Sequence, residues 1–211
     1  MNYLIQKIEQ MFEERSLLKH PFYQTWSDGK LTPEALAGYS KEYYQLVKAV
    51  PKFMEPLIKE TPEMMKGELY SNQQEETSHI ELWERFASAM EISHDELINY
   101  EGLKKTNQAI SDLFSTITSF ESGSAAMYAF EKEIPKISQI KLDGLAEFYG
   151  LTSENATEYF KQHTEADIRH AASWQKIIEQ SSGHDNDIIY AAKKSISSQN
   201  LLLDSCFEEY C

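Results

Sequence analysis

The chain has 211 residues, 41% of them hydrophobic and 12% aromatic, which suffices for a sizeable core and excludes a disordered composition. A net charge of -14 with no basic stripe argues against nucleic-acid binding, which needs phosphates neutralised. There is no membrane-length apolar run and no signal-like start in Met1-Asn2-Tyr3-Leu4-Ile5-Gln6-Lys7, and the only cysteines are Cys206 and Cys211; a cytoplasmic protein in a reducing compartment is expected.

Helix formers dominate, and eight glycines and six prolines leave few breaks. The pattern predicts one all-α domain over residues 1–211, with fraying at the last few. A first amphipathic segment covers 3–18. Thr32-Pro33-Glu34 supplies a capping hydroxyl, a first-turn proline and an acid, and so opens a helix toward Glu60 with a bend at Pro51 or Pro56. Thr61-Pro62-Glu63 repeats the signal and opens a helix to about Met90. Ser93-His94-Asp95-Glu96 reads as a capping box for a short helix. Further helices fit 105–121, 122–134, 136–149, 153–181 and 185–207, with Gly150 as a C-cap and Gly183 at the last turn.

Chemistry concentrates on three of these helices. His163, Asp167 and His170 recur at offsets that share one helix face, and a carboxylate between two imidazoles suits iron, manganese or zinc. Glu76 precedes His79 by three residues and Glu75 by four; either pair is the half-site of a di-metal carboxylate bundle, with the tighter spacing favouring Glu76. Glu131 lies among Met127, Tyr128, Phe130 and Ile134, where a carboxylate costs several kcal/mol unless paired or metal-bound. Glu133, turned away from that stripe, reads as a surface acid. Three carboxylates and three imidazoles are enough ligands for two metals with open positions.

The residues also resemble a known family, the haem-oxygenase-like di-metal oxidases, and within it the branch of the Chlamydia protein associating with death domains. The likeness spans about residues 2–205. It is carried by His20-Pro21-Phe22-Tyr23-Gln24-Thr25-Trp26, Tyr39-Ser40-Lys41-Glu42-Tyr43-Tyr44 and His79-Ile80-Glu81-Leu82-Trp83. Two further segments are Tyr128-Ala129-Phe130-Glu131-Lys132-Glu133-Ile134-Pro135 and Tyr159 through His170, the latter the most specific.

The resemblance implies a seven-helix bundle of the TenA/PqqC type around two metal ions, either iron alone or manganese plus iron. It implies dioxygen and an external reductant as co-substrates. It places the ligands on His79, Glu131, His163, Asp167, His170 and one of Glu75 and Glu76. It further implies 4-aminobenzoate formation for folate from the protein's own tyrosine, placed at Tyr23, with nitrogen from Lys141 and with Tyr39 and Tyr159 as other site tyrosines. Taken alone, Tyr23 reads as a packed aromatic and Lys141 as a surface lysine. Where that branch has a tyrosine before the third-helix glutamate, this chain has Phe130. The competing expectations are an oxidase acting on an external amino acid or fatty acid, and a protein-binding module for a death-domain partner, known only by analogy. The metal-free thiaminase-like branch lacks the full ligand set. A homodimer stays open.

Overall fold

Side-chain caps start six of the twelve α-helices among the described residues. In a computed structural model describing residues 2–211, Asn2 accepts the Leu4 amide and opens α1 (Tyr3–Arg15). Met1, the first residue of the expected domain, lies outside the described residues. His20 Nδ1 accepts the Phe22 amide at 3.1 Å, and Pro21 begins α2 (Pro21–Ser27). Thr32 caps α3 (Pro33–Val47) by accepting from Ala35, as its sequence predicts.

The expected helix to Glu60 breaks at Lys48-Ala49. Pro51, which has no N–H to give, sits in the first turn of α4 (Val50–Glu60). Thr61 does not cap the next helix. Its hydroxyl donates back to the Leu57 carbonyl and closes α4, while Pro62 stands at the cap of α5 (Glu63–Ala89) without a side-chain bond. Ser93 accepts the Glu96 amide at the start of α6 (His94–Ile98).

α7 (Lys104–Phe114) ends well short of residue 121. The β-branched stretch Thr116-Ile117-Thr118 turns the chain, and a reciprocal Ser119/Ser122 capping box opens α8 (Phe120–Glu131). A break at Lys132-Glu133 precedes Pro135 in the first turn of α9 (Ile134–Glu147). The expected helix over 153–181 is two helices, α10 (Glu154–His163) and α11 (Ala166–Gln180), divided at Thr164-Glu165. Gly183, at φ +83°, turns the chain into α12 (Asp185–Tyr210). The all-α class holds, with twelve α-helices and no strand among the described residues; breaks divide longer rods, so the segments outnumber the seven expected.

Packing decides what the breaks bring together. α8 lies along both α11 and α12, α10 lies on α5 and α9, and α3 lies on α5 and α12. The core holds the fully buried indoles of Trp26, Trp83 and Trp174. α9 comes very close to α2 at Gly144, where a Cβ would stand 2.7 Å from the Trp26 ring. The Trp26 indole N–H donates to the Lys141 carbonyl at 3.4 Å, so this contact fixes Lys141 against the helix that carries Tyr23. Among the described residues no helix is long and apolar enough to cross a membrane.

Candidate functional site

Four helices point six ionisable side chains at one another. Glu76 and His79 come from α5, Glu131 from the end of α8, His163 from the end of α10, and Asp167 and His170 from the first turns of α11. All six are buried. Glu76 stands at the centre: one oxygen lies 3.5 Å from His79 Nδ1 and 3.4 Å from His170 Nδ1, the other 3.9 Å from His163 Nε2. Glu131 lies 4.0 Å from His170 Nδ1. His163 and Asp167, expected on one helix face, are on separate helices; the break between α10 and α11 still leaves both facing the cluster. Two groups have ligand atoms converging within 4.8 Å: Glu76, His79 and His163, and Glu76, Glu131, Asp167 and His170. Glu76 is common to both.

Glu75 is the exception among the expected ligands. It belongs to neither group. It takes both guanidinium nitrogens of Arg169, at 2.9 and 3.4 Å, and its Oε2 lies 3.1 Å from His170 Nε2. One residue along α5 turns a side chain about 100°, so Glu76 faces inward and Glu75 faces the rim. Glu75 thus engages the far nitrogen of His170 and leaves Nδ1 free. The Tyr159 carbonyl does the same for His163: it accepts from Nδ1 at 2.7 Å and leaves Nε2 toward Glu76. Glu133 is no free surface acid either. It accepts the Leu17 amide and the Ser16 hydroxyl and so anchors the short turn Leu17–Lys19.

The electrostatics of the cluster are unbalanced. Burial pushes the Glu131 carboxyl well above its usual range, and Asp167 and Glu76 push it further. Burial, then Glu76, does the same to Asp167. Burial works against Glu76 as well, but the imidazoles of His163, His170 and His79 together hold it well below the carboxylate range. Both oxygens of Glu131 and one each of Glu76 and Asp167 have no hydrogen-bond partner among the described residues; nor do Nδ1 of His79 and of His170. Buried polar atoms seldom go unpaired. Six orphaned oxygen and imidazole-nitrogen atoms, in two groups of converging residues, make a donor set that iron or manganese would fit, with room for one ion in each group.

A stability consequence follows. Glu131→Leu removes a buried carboxyl with no partner, and is expected to stabilise the metal-free protein by about 1–3 kcal/mol. Urea melts in excess chelator check this; destabilisation would show that Glu131 is satisfied without metal.

A second cluster lies beside the first. Lys141 is 2% exposed and its ammonium nitrogen lies 2.6 Å from the Tyr39 hydroxyl, to which it donates. The same nitrogen stands 5.1 Å from the Tyr23 ring centre, 4.8 Å from Tyr43 and 5.2 Å from Phe160. No carboxylate pairs with it among the described residues. Burial pulls its pKa down to about 7. Burial raises the phenols of Tyr23, Tyr39, Tyr43 and Tyr159, so all four stay protonated. The sequence reading of Lys141 as a surface residue in its own right does not hold: Gly144 lets α9 approach α2 closely enough to bury it.

Tyr43 was not singled out in the sequence, although it lies four residues after Tyr39 and so on the same face. It joins the two clusters. Its ring is 5.3 Å from Tyr39 and stacks on Trp83 at 4.7 Å. Trp83 meets Tyr159 edge-on at 4.6 Å, and Tyr159 stacks on His163 at 4.1 Å. Contiguous aromatic rings therefore run from the lysine to a candidate ligand. Beside Glu76, His163 and Asp167 the free volume is only about 10 Å³, room for one water-sized molecule.

Residues 37–199 match the family described as iron-containing redox enzyme. The chain is 33% identical to a 4-aminobenzoate synthase of Chlamydia muridarum, over 99% of this chain and 91% of that protein. It is 30% identical to the 4-aminobenzoate synthase of Nitrosomonas europaea, over 98% and 92%. Among solved structures, a TenA homologue from Pseudomonas syringae superposes with a TM-score of 0.82 at 20% identity, covering 97% of this chain and 91% of that one. A CADD-like protein of unknown function from Nostoc punctiforme gives 0.65 at 16%, covering 100% and 98%. These two likenesses concern the fold.

Proposed function

Because this chain belongs to the iron-containing redox enzymes of the haem-oxygenase-like fold, we propose that it makes 4-aminobenzoate from its own Tyr23, with Lys141 as the source of nitrogen. The observation that carries this reading is the buried Lys141 amine, unpaired with any carboxylate and held over the Tyr23 ring. In tyrosine the phenol oxygen is para to Cβ, as nitrogen is para to the carboxyl carbon in 4-aminobenzoate. The ring already carries the product's substitution pattern.

The ligands we propose are Glu76, His79 and His163, which would hold one metal, and Glu76, Glu131, Asp167 and His170, which would hold the other. Iron alone or manganese plus iron fits this mixed donor set. Bound there, the metals supply reductive activation of dioxygen, with electrons from an external reductant. Glu75 orients His170, and the Tyr159 carbonyl orients His163. The chain's own residues bring the amine down so that about half of it is neutral at pH 7, hold Tyr23 beside it and exclude bulk water from both. The small free volume beside the carboxylates leaves no room for a fatty acid or an external amino acid.

Two measurements test the reading. Metal-loaded protein given dioxygen and a reductant should release at most one 4-aminobenzoate per chain, and peptide mass spectrometry should find the tyrosine side chain lost at position 23 and Lys141 altered. Repeated turnover with an intact chain would overturn it. For the orienting role, Glu75→Ala should weaken metal binding by roughly 10–100-fold in a chelator competition, whereas Glu76→Ala should abolish loading at both positions. Equal, full loading of both variants would remove Glu76 from the site.

A further inference from the structure

A second cavity abuts the metal pocket. It is walled only by apolar side chains and lies where α4, α7 and α8 converge, with a free volume of about 20 Å³. Leu46, Val50 and Phe130 line both cavities and so stand in the partition between them. On the near side stand Glu76, His163 and Asp167. On the far side the wall is Phe53, Ile110, Met127 and Phe114, and Phe114 is 38% exposed. Ile110 and Ala49 are half-buried there. The far cavity thus reaches from the protein surface to the partition.

We infer that this apolar cavity is the entry route and holding site for dioxygen, with Leu46, Val50 and Phe130 as its inner gate. The inference rests on the oxygenase reading above and specifies where the gas enters. Three observations carry it. A cavity with no polar wall stays dry and takes small apolar guests such as xenon. Its size admits a diatomic gas and not a metabolite. Its inner wall is the wall of the carboxylate pocket, so a guest crosses a single layer of side chains. The phenylalanine at position 130 keeps a hydroxyl out of that layer. Water and polar reductants, which would quench a reactive centre, gain nothing by entering such a passage.

The test uses the whole chain in two states. Metal-free crystals pressurised with xenon should show one xenon atom among Phe53, Met127 and Phe130. Ala49→Phe and Ile110→Phe, both at the half-buried rim and away from the metal pocket, should each displace it; two variants guard against one failing to fold. In stopped-flow mixing of reduced, metal-loaded protein with dioxygen, each variant should slow the second-order step about tenfold and leave the later, oxygen-independent steps unchanged. Absence of xenon, or xenon displaced with no change in the second-order step, would overturn the route and leave the oxygenase reading standing. Failure of the loaded wild type to consume dioxygen at all would overturn both.

Discussion

Tyr23→Phe should abolish 4-aminobenzoate formation completely while leaving metal loading at the wild-type level. The phenylalanine keeps the ring and its edge-to-face contact with Phe22, 5.8 Å between centres. It removes only the phenol oxygen, the atom whose carbon must take nitrogen. Lost interaction with the neighbouring Tyr39 hydroxyl costs about 0.5–1.5 kcal/mol, too little to unfold the chain. Tyr23 makes no hydrogen bond or ring contact with any of the six candidate ligands among the described residues and does not line the pocket beside them, so metal content separates the two roles. The measurement is product by liquid chromatography alongside metal analysis of the same sample. Product from Tyr23→Phe at the wild-type level would remove this residue from the reaction and send the search to Tyr39 or Tyr43, the other phenols that surround the amine. Tyr43→Phe and Tyr39→Phe serve as controls, because each keeps its ring in the stack that runs toward His163.

The inward-facing candidate ligands were legible because helical spacing and chemistry coincide. Glu131 announced itself as an acid on an apolar stripe, and His163, Asp167 and His170 as a stripe of ligands. All four are buried. Yet the reason for the stripe was different: a break at Thr164-Glu165 splits it between two helices. Periodicity reads offsets, and a one-turn break preserves offsets while changing direction. Spacing favoured Glu76 but left Glu75 nearly as good, since both i+3 and i+4 partners meet on a helix. In the structure Arg169 draws Glu75 to the rim while Glu76 faces inward. Tyr43 escaped notice because an aromatic at helical spacing is ordinarily core. Only its neighbours, Lys141 on one side and the carboxylate pocket on the other, set it apart. Helix ends failed where two signals competed. Thr61 could cap the helix after it or close the one before it, and the Leu57 carbonyl won.

Lys141→Met should make the protein more stable and inactive at once. Burial lowers the lysine from its ordinary 10.5 to about 7 in the folded chain, while the unfolded chain keeps the ordinary value. Between those values the unfolded state binds more protons, so stability rises with pH through that window. Below about 7 both states are protonated and the penalty of burying the ammonium is fully present; above the unfolded value it vanishes. Methionine has a similar length and no charge to desolvate. Its gain is therefore greatest at pH 7 and below, on the order of 3 kcal/mol after allowing for the lost bond to Tyr39, and fades toward pH 10.5. Denaturant melts at pH 6 and pH 10 read that difference, and equal stabilisation at both would refute the buried, depressed amine. Catalysis follows the opposite logic. Only the neutral amine has a lone pair to form a bond to carbon, so the wild-type yield per unit time should climb with pH to a plateau, with its midpoint near 7. A residue that weakens the fold where it is charged, and has no carboxylate to compensate, has a chemical reason to be there. Lys141→Arg sharpens the point: it restores length and donors but stays protonated throughout, and so should abolish product at every pH.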